Sequence, residues 1–257
     1  MTTYTTRLAA ICLAGALIVP AVARAQLNVA VGAGAVLKPT YEGSNRSVAT
    51  GLPLINVNWH DMISLADDGL SAYLHLSFFS VGAGLTFDPG RDDHNTNGLV
   101  TTGDDRLAGM GKIKPSVGYK GFSSLALGPI DLGGSITKFI GADSGILVGA
   151  NASSRLMLTR GLSVTPHVSA MWANRTYMAT YFGVSAAQAS SSRFAQYTAG
   201  EGWKNVGTGL TVTYAFGRHW FVSADGEGEE LQGSAAKSPL VMSKTNAVVT
   251  TVLGYHF

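Results

Sequence analysis

Apolar and polar residues alternate along most of this chain with a period of two. From Leu162, LSVTPHVSAMW sets Leu162, Val164, Pro166, Val168, Ala170 and Trp172 on one face, and Ser163, Thr165, His167, Ser169 and Met171 on the other. From Val206, VGTGLTVTYAF opposes Val206, Thr208, Leu210, Val212, Tyr214 and Phe216 to Gly207, Gly209, Thr211, Thr213 and Ala215. The stretches IKPSVGY (113–119) and FSVGAGLTF (79–87) repeat the pattern. Such alternation marks strands with two unlike faces. It predicts strands near 27–37, 48–58, 60–66, 69–76, 78–87, 108–119, 125–139, 145–158, 162–178, 203–216, 219–231 and 244–257. That is about twelve, an even number; fusing the short runs around ADDG (66–69) differently gives about ten.

Alternation alone fits a soluble sandwich as well as a membrane barrel. Three features separate them. The polar face carries Gly, Ser, Thr and Asn rather than Lys and Glu, and many strands are long enough to cross a bilayer at a tilt. Tight turns such as TRG (159–161) and GRH (217–219) also alternate with long polar loops at 88–106, 185–201 and 232–243. Short turns at one rim and long loops at the other characterise outer-membrane barrels. The fold class expected is therefore all-β: a transmembrane, up-and-down, antiparallel β-barrel.

The two ends agree. Residues 1–25 carry one early basic residue (Arg7), an apolar run from Leu8 to Val19 and a small-x-small site at Ala23-Arg24-Ala25. This reads as a secretory signal peptide cut after Ala25, leaving 26–257 as the barrel. The single cysteine, Cys12, lies inside that run with Ile11 before it, unlike a lipoprotein site. At the other end, Val249, Thr251, Leu253, Tyr255 and Phe257 share one face. Leu253, Tyr255 and the terminal Phe257 read as an assembly signal for the barrel-assembly machinery, with the two rings in an interfacial aromatic girdle. The expected location is the outer membrane of a Gram-negative bacterium, in contact with its lipid and lipopolysaccharide.

Charge narrows the function classes. Only 13% of residues are charged, about half the roughly 25% of soluble domains. Removing Arg7 and Arg24 leaves basic and acidic side chains equal in number, which argues against nucleic acid as a partner. None of the six histidines has metal-ligand spacing such as HExxH, and no GxSxG elbow is present. His167 reads as a lumen hydrogen-bonding residue, with the base of a barrel lipase as the sharper alternative. Asp92-Asp93-His94 and Asp104-Asp105 read as a solvated acidic loop, with a divalent-cation site as the alternative. GEGEE (226–230) lacks the Lys and helix of a phosphate cradle. No catalytic residue, cofactor site or metal site is expected. By alternation Lys112, Lys114, Asp131, Arg155, Arg175, Asp225 and Glu227 point into the lumen, with Glu229 a further candidate. They would either cross-link a plugged interior or line a narrow polar passage.

Four motifs then carry a resemblance: VGAGAVLKPTYEGSNR (31–46), YMATYFGVSAAQASSSRFAQY (177–197), SPLV (238–241) and the ending GYHF. Their order and spacing over the whole mature chain resemble the MipA/OmpV family of outer-membrane proteins. The resemblance implies a non-enzymatic MltA-interacting scaffold, with a murein lytic transglycosylase and a peptidoglycan synthase as partners. The alternative is a narrow channel, or a surface receptor or adhesin, that uses the lumen and the long loops.

Overall fold

The computed structural model describes residues 27–66, 69–97, 101–141 and 145–257. The expected signal peptide at 1–25 lies outside the described residues. Twelve antiparallel strands close into a barrel. They are β1 (Leu27–Pro39), β2 (Ser47–Trp59), β3 (Ile63–Ala66), β4 (Gly69–Leu76), β5 (Phe79–Asp88) and β6 (Ser116–Leu127). The rest are β7 (Ile130–Phe139), β8 (Ile146–Ser153, resuming at Leu156–Met157), β9 (Leu162–Ala173), β10 (Gly202–Phe216), β11 (Trp220–Leu231) and β12 (Thr245–His256). Sequence neighbours pair in order, and β1 closes on β12 from Ala30↔His256 to Leu37↔Val249. Closure leaves no free pair of end strands, as a spanning sheet requires in lipid.

The pleat sorts the side chains as the alternation predicts. Val206, Leu210, Tyr214, Val249 and Leu253 face outward and are exposed, as are Val81, Leu85 and Phe87 of β5. An apolar outer belt is the face that lipid covers. Rings gather at its edges: Trp59, Phe78, Tyr214, Phe216, Trp220, Tyr255 and Phe257 at one rim, and Phe87, Tyr119 and Trp203 at the other. Tyr255 packs edge-on against Trp220 and Phe257, and Phe257 N–H donates to Val29 C=O at 3.0 Å.

One rim has only tight turns, at 60–62, 77–78, 128–129, 158–161 and 217–219. The other has the long connections, 89–115, 174–201 and 232–244, with a shorter one at 40–46. Several strand limits differ from the sequence expectation. The hairpin expected between 119 and 125 turns instead at Gly128-Pro129, with Gly128 at φ 63°. A Gly-Pro pair supplies the positive φ and the chain reversal that a tight turn needs. Residues 108–115 are therefore loop. The strand expected over 162–178 stops at Ala173, because Asn174 caps a helix, α1 (Arg175–Phe182), by accepting from Tyr177 N–H.

Two further irregularities shape the wall. β8 breaks at Ser154-Arg155, opposite Pro166 of β9. Ser154 N–H donates to Pro166 C=O at 3.1 Å, but proline has no N–H to return. The β3–β4 hairpin is also low: β3 pairs only with Val57–Trp59 of β2. Among the described residues no strand flanks Ser47–Asn56 on that side. The 89–115 loop rises from β5, crosses above this low hairpin and fastens to the β1–β2 loop. There Arg46 pairs with Asp104 at 3.1 Å, Thr102 Oγ1 donates to Thr40 C=O at 3.0 Å, and Arg106 bonds Asn45.

Candidate functional site

The long connections fold into a cap across the loop rim, with two apolar cores of their own. Tyr177, Met178 and Phe182 of α1 pack with Phe139, Ala173, Ala199, Leu231 and Ala235. Tyr41, Leu107, Met110, Val184, Phe194 and Leu240 form the second cluster. A short helix, α2 (Ala186–Ser191), is held by a Ser185–Gln188 capping box, and Gln188 Nε2 donates to Met110 C=O at 2.7 Å. The segments singled out as motifs meet here. Tyr41 OH donates to Leu240 C=O at 3.0 Å, and Ser238 Oγ donates to Phe182 C=O at 2.6 Å. Gly43 sits at φ 89°, and a Cβ there would fall 2.7 Å from Val241 Cγ2, so only glycine fits. YEGS, the 177–197 segment and SPLV are thus the parts of one cap.

Beneath the cap lies a cavity of about 350 Å³. Lys38, Glu42, Asp88, Arg91, Tyr177, Tyr181, Glu229 and Asn246 line it. Tyr177 and Tyr181 stack at 4.6 Å, as residues four apart on a helix can. Tyr181 OH donates to Asp88 Oδ1 at 2.6 Å, and Arg91 Nη1 donates to Tyr181 C=O at 2.9 Å. Lys204 is the extra residue of a bulge at the start of β10, pairs with Glu42 and lies 5.7 Å from the Tyr177 ring centre. Burial, and then the Asp88 carboxylate, push the Tyr181 phenol well up, so it stays a donor. Burial likewise raises Tyr177. Arg91 is only 5% exposed; burial draws its guanidinium down, opposed by Tyr181, Tyr41 and Glu42. Two buried atoms here have no hydrogen-bond partner among the described residues: Arg91 Nε and Glu42 Oε2.

The expected lumen charges divide. Asp225 and Glu227 face inward, held by Thr211 Oγ1 at 2.6 Å and Ser169 Oγ at 3.0 Å. Asp131 takes an inward register on β7 near the turn rim, beside Ser153. Arg155, at the break in β8, lines a lower lumen space of about 460 Å³ with Asn56, Phe221 and His256. Lys112, Lys114 and Arg175 are not lumen residues. Lys112 and Lys114 lie on the 89–115 loop, and Arg175 is an exposed residue opening α1. The reason is the shifted hairpin and the Asn174 cap. Lys112 pairs with Asp92 at 2.8 Å, and Asp225 and Glu227 are held by hydroxyls instead of by Arg175. His167 faces inward, close against Gly209. Of the charged residues around the cavity, alternation points to Glu229 alone; Lys38, Glu42, Asp88, Arg91 and Lys204 escape it. Lys204 hides at a bulge, where the period slips by one, and Glu42, Asp88 and Arg91 sit at strand ends or in loops. A lone charge at the edge of an uncharged strand was the available signal.

The acidic loop is internally satisfied. Ligand atoms of Asp92, Asp93 and His94 lie within 4.8 Å of one another. Asp92 bonds Lys112, while Asp93 takes His94 Nδ1 and Gly111 N–H. Asp104 is taken up by Thr40, Arg46 and the Arg106 N–H, and Asp105 by Asn95.

Comparison with known proteins gives consistent results. An outer-membrane channel of the COG4313 group from Pseudomonas putida F1 superposes with a TM-score of 0.51 at 12% identity, covering 90% of this chain and 96% of that one. OmpF of Salmonella typhi, in a complex with daunomycin, matches at a TM-score of 0.42 and 8% identity, covering 90% and 97%. At such identities the likeness extends to the barrel fold alone. No curated protein sequence matches the chain significantly. The family model described as MltA-interacting protein MipA matches residues 31–257.

Proposed function

The chain belongs to the MltA-interacting protein MipA family, and from that premise we propose that it is a non-enzymatic anchor for a murein lytic transglycosylase. It is a β-barrel of the Gram-negative outer membrane. In such barrels short turns face the periplasm and long loops face outward, so the cap closes the outer mouth and the lower lumen opens toward murein. That asymmetry carries the reading. The outer mouth is filled by a packed apolar core, while inward residues near the turn rim, Ser124, Ala126, Asp131, Ala215 and His256, are exposed. A synthase partner would dock at the same rim. Leu253, Tyr255 and Phe257, on the outer face beside β1, would serve as the assembly signal.

The test is co-elution. The barrel, reconstituted in lipid nanodiscs, is mixed with a purified murein lytic transglycosylase of the same bacterium and run on a sizing column. A shared peak that survives cleavage of the cap loops is expected. Binding lost on cleaving the cap, or no binding, overturns the reading. The second reading, a channel or receptor, draws support from the polar cavity under the cap; single-channel conductance of the refolded protein tests it directly.

A further inference from the structure

We propose that the cavity beneath the cap is a binding site for a small zwitterion of amino-acid or dipeptide size. Three observations carry this. First, Arg91 is 5% exposed, lines the cavity and leaves its Nε–H without a partner among the described residues. A buried donor left unpaired costs free energy until something accepts from it. Second, Lys38 projects from β1 into the same space, and no hydrogen bond or ion pair holds it among the described residues. Two cations without carboxylates of their own thus share the cavity, which suits a carboxylate ligand. Third, the acceptor Glu42 Oε2 is also buried and, among the described residues, unpartnered, while its other oxygen is taken by Lys204. It can receive an ammonium or amide N–H.

Both signs of charge line the space. Lys38 comes from β1 and Arg91 follows β5, where Asp88 is engaged by Tyr181; Glu229 comes from β11, and Glu42 is paired through one oxygen with Lys204 of β10. A ligand with one charge satisfies either the open Arg91 donor or the open Glu42 acceptor, not both. The stacked Tyr177 and Tyr181 rings add a flat wall for a short aliphatic body. A volume of about 350 Å³ sits at the small end of ligand pockets, which excludes long peptides and sugar chains.

The test uses the full mature chain in detergent and isothermal titration with three probes: alanylalanine, propionate and propylamine. Alanylalanine is expected to bind and the single-charge probes to bind at least tenfold more weakly. Lys38→Met, which breaks no hydrogen bond or ion pair among the described residues, should weaken alanylalanine about tenfold, the worth of one charge-assisted hydrogen bond. Arg91→Lys keeps the charge but moves the donor, and should weaken it further. No heat with alanylalanine overturns the proposal. Propionate binding as tightly as alanylalanine also overturns it, since that describes a plain anion site. Unchanged affinity in Lys38→Met, with the melting temperature retained, moves binding elsewhere and is equally fatal.

Discussion

Asp104 fastens the long β5–β6 loop to the barrel. It is fully buried, and it accepts from Thr40 Oγ1 at 3.0 Å, Arg46 Nη1 at 3.1 Å and the Arg106 N–H at 3.0 Å. Asp104→Ala should cost about 1–3 kcal/mol, the range for hydrogen bonds to a charged group, with Arg46 half-exposed and its share screened. The expected readout is a lower melting temperature and faster trypsin cleavage after Arg106; unchanged cleavage would mean the loop is held elsewhere. Asp92 reports on the same loop through pH. The Lys112 hydrogen bond holds its carboxyl below the usual carboxylate range. Its folded pKa is thus depressed, so its contribution is fully present above about 3.9 and is lost as pH falls through the lowered value. Lys112→Ala should move the Asp92 titration, followed by NMR, upward toward the ordinary range, with the His94 N–H still holding it down in part. Single residues were the hardest scale to read from sequence. Asp225 and Glu227 bond the hydroxyls of Thr211 and Ser169, whereas the alternation runs on by chance through Lys112 and Lys114 in a loop and into Arg175 on a helix.

Elements were legible wherever one face meets lipid and the other a polar lumen, since that contrast writes the period into the chain. β5, β9, β10 and β12 follow it closely. The cap helices carry no such contrast, because the apolar partners of α1 are strand ends and loops distant in sequence, such as Leu231 and Ala235 beside Phe182. Local signals existed: Asn174 and the Ser185–Gln188 pair are helix starts. The break in β8 has its cause on the neighbouring strand, at Pro166, which no reading of 145–158 alone could supply. Pro166→Val restores the missing N–H. Amide exchange at Ser154 and Arg155 should slow, with a gain of about 0.5–1.5 kcal/mol. Exchange as fast as in the wild type would show that the break has another origin.

For the molecule as a whole, the cap covers one mouth of the barrel. Twelve strands leave room for solute, but Phe182, Met178 and Leu240 are fully buried above the lumen. The intact protein should therefore conduct poorly in planar bilayers. Phe182→Ala removes a ring from the middle of the cap core, at a cost of about 3–5 kcal/mol, and should raise conductance while the barrel still runs as a folded, heat-modifiable band. Equal conductance in both proteins would put the barrier lower in the lumen.

The low β3–β4 hairpin has a consequence for the surrounding lipid. Four residues at about 3.3 Å each raise β3 by roughly 13 Å, against an apolar belt of about 25 Å around outer-membrane barrels. The annular leaflet therefore meets a rim of unequal height and must dip on one side, at an elastic cost that grows with chain length. Refolding into short-chain vesicles should outpace refolding into long-chain ones more steeply than for a barrel with an even rim. In a thick membrane, two copies reduce the deformed area by turning their dips toward each other, so bilayer thickness alone would draw them together.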